Sequence, residues 1–102
     1  MYNTPLLSVI IPAYNVEKYI SKTLDSIISQ TYQNIEILIA DDLSKDNTRN
    51  IIDSISKTDS RIIVSHNTKN LGKVKTVNNL FKLSKGKYIT IHDSDDWSEK
   101  DR

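Results

Sequence analysis

Three aspartates crowd one four-residue stretch near the end of the sequence: Asp93, Asp95 and Asp96. Carboxylates this close repel one another unless a cation neutralises them. Hard divalent ions such as Mg²⁺ and Mn²⁺ take oxygen ligands, and they bind through one or two carboxylates together with substrate phosphates. A helix cap followed by solvated charge is the alternative, since aspartate-rich turns are common. The position of the cluster directly after an apolar, strand-like run favours a metal site.

A second acidic pair, Asp41 and Asp42, also follows an apolar run. An ionised aspartate only accepts hydrogen bonds, so one of the two could receive the ring N–H of a pyrimidine base. Tyr14 follows the first apolar run and could stack on that base, as aromatic side chains do on nucleic-acid bases. Alternatively, Tyr14 is a half-buried aromatic residue at a strand end, and the aspartates only form a turn or begin a helix.

Basic side chains lie near the third and fourth apolar runs. Lys69, Lys73 and Lys75 could reach diphosphate oxygens as point charges, although each could equally be a solvated surface lysine. His66 and His92 end strand-like runs. We interpret both as structural histidines with satisfied hydrogen bonds rather than as ligands.

Four short runs rich in β-branched residues predict buried strands, at residues 7–13, 35–40, 61–66 and 87–92. The first two are almost continuously apolar, as expected for parallel strands that are covered on both faces. Helical segments separate them, so the predicted order is βαβαβαβ. Short connections and right-handed crossovers then favour an α/β fold with a mostly parallel, Rossmann-like sheet. In such sheets ligands bind outside the carboxyl ends of the strands, which is where the polar residues cluster.

Helical spacing of apolar residues predicts the three connecting helices. The face of the first begins at Val16 and ends at Ile28, and Asn15 is its predicted N-cap. The second helix covers about residues 48–57, with Ser44 or Asp46 near its start. The third covers about residues 73–84, and we expect Gly86 to stop it in a left-handed conformation.

The composition bounds the class of protein. The 102 residues suit one small domain, and the net charge of +1, from 14 basic and 13 acidic residues, gives no electrostatic case for a nucleic-acid partner. No cysteine is present, which excludes disulfides and cysteine-bound zinc. The longest aliphatic run, residues 37–40, is far shorter than the roughly 20 residues that span a bilayer. Without a recognisable signal peptide, we expect a cytoplasmic location.

Together these residues resemble family-two glycosyltransferases of the GT-A fold, over nearly the whole chain. The similarity is carried by six motifs: Ser8-Val9-Ile10-Ile11-Pro12-Ala13-Tyr14-Asn15, Ser29-Gln30-Thr31-Tyr32, Glu36 to Asp42 with Ser44 and Asp46-Asn47-Thr48, Asn70-Leu71-Gly72-Lys73 with Asn78, Gly86-Lys87-Tyr88-Ile89, and Asp93-Ser94-Asp95-Asp96. The last of these looks like the family's Asp-x-Asp motif.

The resemblance implies a role for each matching residue. The backbone of Pro12 and Ala13, together with Tyr14, would border the nucleoside, and Asp42, or else Asp41, would bind the base. Lys73 and Ser94 are further candidates for contact with the nucleotide sugar. Asp93 would lie near the ribose and the diphosphate. Asp95 would ligate Mn²⁺ or Mg²⁺ with Asp96 close by, and the ion would act as a Lewis acid that stabilises the leaving diphosphate.

The implied reaction transfers a sugar with inversion from a nucleotide sugar, for which a UDP-sugar is the commonest choice in the family, to a saccharide or other acceptor during glycan synthesis. Two positions depart from the family pattern: Leu43 stands where glycine is frequent, and Val77 stands where many members have arginine. The family's general base lies downstream of the Asp-x-Asp motif, so we expect it beyond Arg102. We therefore expect these residues to bind donor and metal without transferring sugar, and to expose apolar surface that promotes self-association.

Three other classes fit less well. A phosphoacceptor receiver domain should carry an acidic pair after its first strand, where Pro12, Ala13 and Tyr14 stand instead. A dinucleotide-binding domain needs a G-x-G-x-x-G loop, but Gly72 and Gly86 are the only glycines. A non-catalytic nucleotide-sugar-binding module remains the third possibility.

Overall fold

The computed structural model describes residues 4–92. Strands and helices alternate along them as predicted: β1 (Leu7–Ala13), α1 (Ile20–Ile28), β2 (Ile35–Asp41), α2 (Thr48–Ser56), β3 (Ile62–His66), α3 (Lys73–Leu83) and β4 (Tyr88–Ile91). The predicted α/β class is confirmed, with small differences at the ends of elements. No helix in this range is long and apolar enough to cross a bilayer.

The four strands form one parallel sheet in the order β3-β2-β1-β4. At its carboxyl edge Ala13 is the register partner of Asp41, and Asp41 is the register partner of His66. Because all four strands run in the same direction, the loops that follow them emerge at this edge.

The helices cover both faces of the central strands. On one face, α1 and α2 contribute Leu24 and Ile52 to a core that includes Ile37 and Ile39 of β2. On the other face, α3 places Leu80 against a smaller cluster formed by Ile10, Leu38 and Ala40. Every residue of β2 is buried as a result, which explains why its sequence is so continuously apolar.

The prediction that the third and fourth apolar runs are buried strands is wrong for the residues that the structure describes, since Ile62 is the one buried residue of β3. All four residues of β4 are exposed, including Tyr88 at 57% and Ile91 at 55%. The reason is the strand order: β4 lies at an edge of the sheet, where it pairs with β1 alone among the described strands.

Two predicted helix ends are also wrong. Asn15 does not cap α1, which begins only at Ile20 after a short turn; Asn15 instead adopts a left-handed conformation with φ of 52°. Gly86 does not stop α3 with a left-handed backbone, because α3 ends at Leu83 and Ser84 leaves it with an extended backbone. The glycine with a positive φ, 88°, is Gly72, which immediately precedes α3.

Candidate functional site

The carboxyl ends of β1, β2 and β3 meet as predicted. The backbone N–H of Asp42 donates to the carbonyl oxygen of Ala13 at 2.8 Å, and the N–H of Asn67 donates to the carbonyl oxygen of Asp41 at 2.9 Å. These bonds continue the sheet by one residue beyond its last register pairs. They bring the loops after β1, β2 and β3 to one polar edge.

Tyr14 leaves the end of β1 with 41% of its surface exposed. Its ring is therefore accessible, whereas the preceding Ala13 is buried in the sheet at 1% exposure. Pro12 lies beyond Ile10, the last residue of β1 that pairs with β4. An accessible ring beside a rigid strand end can stack on a planar ligand.

The carboxylate of Asp42 is bonded within the protein. It is 5% exposed; Oδ1 accepts the side-chain N–H of Asn67 at 2.8 Å and the backbone N–H of Leu71 at 2.8 Å, and Oδ2 accepts the N–H of Gly72 at 2.9 Å. Asn70 also donates from its side chain to the Asp42 carbonyl oxygen at 3.1 Å. Asp42 therefore holds the loop between β3 and α3 on the end of β2, a role that the sequence does not predict.

These contacts set the charge of Asp42. Burial alone raises the pKa of the carboxyl group, but the hydrogen bonds from Leu71, Asn67, Gly72 and Thr76 outweigh it, and the net pKa lies below the usual value. Asp42 is thus ionised at neutral pH and only accepts hydrogen bonds. That state is the one that recognition of a base N–H requires.

Asp41 differs from its neighbour because it is 2% exposed and only partly bonded. Its Oδ2 accepts the N–H of Ser44 at 3.2 Å, whereas its Oδ1 is buried without a partner among the described residues. Its register partner His66 has a bond from Nε2 to Asp53 Oδ1 at 2.9 Å, but its Nδ1 is also buried without a partner there. The structural interpretation of His66 thus holds for one of its two ring nitrogens.

The loops after β1 and β2 are tied to each other. Asn15 donates its backbone N–H to Ser44 Oγ at 2.9 Å and accepts the N–H of Lys45 on its side-chain oxygen at 2.8 Å. Val16 donates its N–H to Thr48 Oγ1 at 2.8 Å. We call residues 15–17 and 44–48 the loop clasp. It extends the pairing of β1 with β2 beyond the sheet.

Two acidic side chains complete the loop clasp. Glu17 Oε1 accepts the N–H of Asn47 at 2.8 Å, and Asp46 Oδ2 accepts the N–H of Glu17 at 3.3 Å. Asp46 Oδ1 also accepts the N–H of Thr48 at 3.0 Å, so the predicted polar side chain near the start of α2 is confirmed. Short polar side chains often bond to nearby backbone in this way. The sequence shows which residues can do so, but not that they join two loops.

Leu43 is one residue beyond Asp42 and has a φ of 60°. The left-handed conformation that is expected of a glycine at this position is therefore adopted by leucine. Such a conformation costs about 1–2 kcal/mol for a residue with a side chain. Leucine in place of the family's frequent glycine thus keeps the left-handed turn but strains its backbone.

The lysines suggested for phosphate contact lie on the loop after β3 and on α3. Lys69, Lys73 and Lys75 are all exposed. Lys73 is the first residue of α3, directly after Gly72. The Asp42 carboxylate accepts the N–H of Gly72 and so already lies at the positive end of the helix dipole, which leaves the charge of Lys73 as the feature that favours a phosphate.

The acidic cluster Asp93, Ser94, Asp95 and Asp96 lies outside the described residues, directly after the strand that leads to it. The last described contact on that path is the N–H of His92, which donates to the carbonyl oxygen of Ile10 at 2.8 Å. Residues 4–92 contain no group of three acidic or histidine side chains that could hold a metal. The carboxylates of the cluster are hard oxygen donors of the kind that Mg²⁺ and Mn²⁺ prefer.

Solved structures share this architecture. A mannosyltransferase from Pyrobaculum calidifontis in complex with GDP-Man and Mn²⁺ superposes with a TM-score of 0.84 at 27% identity, over 91% of this chain and 28% of that protein. TarS 1–349 of Staphylococcus aureus in complex with UDP-GlcNAc superposes with a TM-score of 0.80 at 32% identity, over 93% of this chain and 29% of that one. The fold is therefore that of GT-A glycosyltransferases.

Relatives in sequence carry the same kind of name. Glycosyltransferase GlyG of Streptococcus pneumoniae is 44% identical over 89% of this chain and 30% of its own length. The Escherichia coli enzyme WfaP, a UDP-Glc:α-D-GlcNAc-diphosphoundecaprenol β-1,3-glucosyltransferase, is 48% identical over 90% of this chain and 36% of its own length. The chain thus spans about a third of the length of these curated relatives. The model of glycosyl transferase family 2 matches residues 8–102, and the chain belongs to that family.

Proposed function

We propose that this chain forms the donor-binding part of a glycosyltransferase that moves a sugar from a nucleotide sugar, preferentially a UDP-sugar, to a saccharide or other acceptor with inversion. The observation that carries the proposal is that Tyr14 and Asp42 follow the ends of two neighbouring strands. Each follows one member of the register pair Ala13 and Asp41, so an accessible ring and an ionised acceptor leave neighbouring strand ends. A planar base with an N–H edge matches both.

The predicted site residues within the described part of the chain share the work of donor binding. Tyr14 stacks on the base, and the backbone of Pro12 and Ala13 borders the nucleoside. Asp42 accepts the base N–H, and its own bonds hold it ionised for that purpose. Asp41 is the second candidate: both carboxylates are buried, and its Oδ1 has no partner among the described residues. Lys73, at the start of α3, supplies positive charge for the diphosphate.

Asp93, Asp95 and Asp96 would hold a Mn²⁺ or Mg²⁺ ion, with Ser94 beside the nucleotide sugar. When bound, such an ion supplies the Lewis acidity that stabilises a leaving nucleoside diphosphate. Support comes from the donor set of three carboxylates and from the related mannosyltransferase, whose structure contains GDP-Man and Mn²⁺.

Transfer needs a general base within hydrogen-bond reach of the acceptor hydroxyl. We propose that this base lies in the part of such glycosyltransferases that the chain does not match, since the chain spans about a third of the length of these relatives. The carboxylates of Asp42, Asp46 and Asp59 already accept hydrogen bonds within the protein. The 102-residue chain should therefore bind donor without transferring sugar.

The proposed setting is the synthesis of cell-surface polysaccharide or glycan on the cytoplasmic side of the membrane. Two relatives support a role in glycan synthesis: WfaP, whose name gives α-D-GlcNAc-diphosphoundecaprenol as the acceptor, and TuaG of Bacillus subtilis, a putative teichuronic acid biosynthesis glycosyltransferase. A phosphoacceptor receiver domain is excluded, because the chain belongs to glycosyl transferase family 2. A non-catalytic binding module is the second candidate, and it shares the donor site.

Calorimetric titration of nucleoside diphosphates, with Mn²⁺ and with chelator, tests the proposal. UDP should bind more tightly in Mn²⁺, and Asp95→Asn should remove most of that gain, whereas Asp25→Asn, on the exposed side of α1, should keep it. Equal affinity under both conditions would contradict the metal assignment. An assay for acceptor-dependent release of UDP by the 102-residue chain should show no turnover, and turnover would contradict the proposal that the general base lies elsewhere.

Exposed apolar side chains on α3 and β4 bear on the state of the isolated chain. Phe81, Leu83, Tyr88 and Ile91 are each more than half exposed. Apolar patches of this kind promote association. Sedimentation of the 102-residue chain should show concentration-dependent self-association, and a monomer at all concentrations would contradict this.

A further inference from the structure

Glu36 is a buried carboxylate at the edge of the sheet opposite the donor site. It is the second residue of β2 and is 8% exposed; its register partner on β1, Ser8, is 0% exposed. A buried charge is costly unless it is hydrogen-bonded. Its bonding partners therefore indicate what the protein gains from placing an acid there.

The Glu36 carboxylate connects three parts of the fold. Its Oε2 accepts the hydroxyl of Ser8 at 2.6 Å and the backbone N–H of Lys85 at 2.6 Å. Ser8 Oγ in turn accepts the backbone N–H of Gly86 at 2.8 Å. We call Ser8, Glu36 and the backbone of residues 85–86 the β4 anchor. It ties the connection between α3 and β4 to both central strands.

Gly86 allows this close approach. A Cβ atom at that position would lie 2.4 Å from Ser8 Oγ, 2.7 Å from Ser8 N and 2.9 Å from the carbonyl oxygen of Leu6. All three distances are shorter than real Cβ contacts, and two of them involve backbone that cannot rotate away. The glycine is therefore required by space rather than by its φ angle.

The β4 anchor matters because, among the described residues, no buried face of β4 helps its backbone pairing with β1 to set the register. Burial of one face normally sets the register of a strand, but all four residues of β4 are exposed. A slip by one residue would move β4 by about 3.3 Å and turn its side chains over. The acidic cluster follows β4 in sequence, directly after His92. Metal ligands tolerate only a few tenths of an ångström.

We infer that Glu36 is a positioning residue: through Ser8 and the backbone of residues 85–86 it sets the register of β4, the strand that precedes Asp93, Asp95 and Asp96 in sequence. The inference rests on the proposed function of those aspartates. It separates two parts of the donor site. The base pocket depends on β1, β2 and β3, whereas the metal half depends on β4 and its anchor.

The test compares Glu36→Leu with Glu36→Gln in the full chain, by titration of UDP with Mn²⁺ and with chelator. Glu36→Leu removes the oxygen that accepts both hydrogen bonds, whereas Glu36→Gln keeps one carbonyl oxygen that can accept them. Loss of groups that orient metal ligands weakens metal binding by about 10–100-fold, so Glu36→Leu should lose about tenfold or more of the Mn²⁺ gain. Glu36→Gln should lose less, and affinity in chelator should not change.

Ile52→Val is the matched control, because Ile52 is fully buried in the core on the other face. It should lower stability while keeping the Mn²⁺ gain. If Glu36→Leu keeps the full gain, or if Ile52→Val loses the gain equally, the inference is overturned.

Hydrogen exchange provides an independent measurement if Glu36→Leu folds poorly or if the parent shows no Mn²⁺ gain. Gly86→Ala should then speed exchange of the β4 amides at residues 88–91 while leaving those of β2 protected. Unchanged exchange in β4 overturns the inference. A missing Mn²⁺ gain in the parent overturns only the proposed metal role, so the two failures are distinguishable.

Discussion

Asp42 Oδ2 accepts the backbone N–H of Gly72 at 2.9 Å, a bond that joins the end of β2 to the residue before α3. With its bonds to Asn67 and Leu71, the carboxylate holds an entire loop. The residue that we propose for base recognition thus also stabilises the wall of its own pocket. The two roles can be separated by experiment.

Asp42→Asn should lower the free energy of unfolding by about 2 kcal/mol, because the amide nitrogen would face buried N–H donors that lose their acceptor. Asp53→Asn is the control, since Asp53 makes one bond to His66 and its side chain is 41% exposed; we expect a loss below about 1 kcal/mol there. Urea unfolding measures both. If both variants lose the same free energy of unfolding, the buried bonds of Asp42 stabilise the protein no more than the exposed bond of Asp53.

Stability should fall in acid. Hydrogen bonds from Arg61 lower the pKa of Asp59, and in Asp42 and Asp46 bonding to the backbone and to side chains outweighs the effect of burial. A folded-state pKa below the unfolded value of about 3.9 means that the unfolded state binds more protons. The contribution is therefore present above that value and is lost as pH falls through the lowered pKa values.

The free energy of unfolding should accordingly be flat from neutral pH to about pH 5 and should drop below about pH 4. Asp42→Asn should show a shallower drop, because it removes one of the three groups. A main transition near pH 6 would contradict this prediction.

Tyr14→Ala should weaken UDP binding by about 1–3 kcal/mol, the range for stacking of a base on an aromatic ring. Tyr14→Phe should retain most of the affinity, since the ring remains. Tyr32 offers a matched control: it is 38% exposed and bonds to the carbonyl oxygen of Pro5, near the amino-terminal edge of the sheet. If Tyr32→Ala weakens binding as much as Tyr14→Ala, the effect is not stacking.

Leu43→Gly should raise the free energy of unfolding by about 0.5–1 kcal/mol, because relief of the left-handed strain exceeds the entropic cost of glycine. Leu83→Gly tests the opposite case. Leu83 is similarly exposed but is the last residue of α3, so glycine should destabilise there by about 0.5–1 kcal/mol. Losses at both positions would show that the turn at Leu43 is not strained.

The periodicity of apolar residues predicts the elements well where burial dictates it. Strand β2 is buried along its whole length, and its sequence is correspondingly apolar. The exposure of β4 could not be predicted in the same way, because Tyr88, Ile89 and Ile91 look like a buried strand until the order of the sheet is known.

Local preferences predict less when distant contacts compete with them. Asn15 has the side chain of an N-cap, but it bonds to Ser44 and Lys45 across the sheet edge. Glycine often ends a helix, but Gly86 is required because Ser8 leaves no space for a Cβ atom there. The positions of Tyr14, Asp41 and Asp42 follow from the strand ends, whereas the bonds of the Asp42 carboxylate depend on a loop about 30 residues away.

The loop clasp has a consequence for the thermodynamics of binding. Its backbone donors and side-chain acceptors are already paired with one another, so a nucleotide would meet a preorganised surface. Ordering a flexible side chain on binding costs about 0.5–1.5 kcal/mol, and the clasp residues avoid that cost. The heat-capacity change on binding should then correspond to the contacted surface alone, without the larger signature of coupled folding.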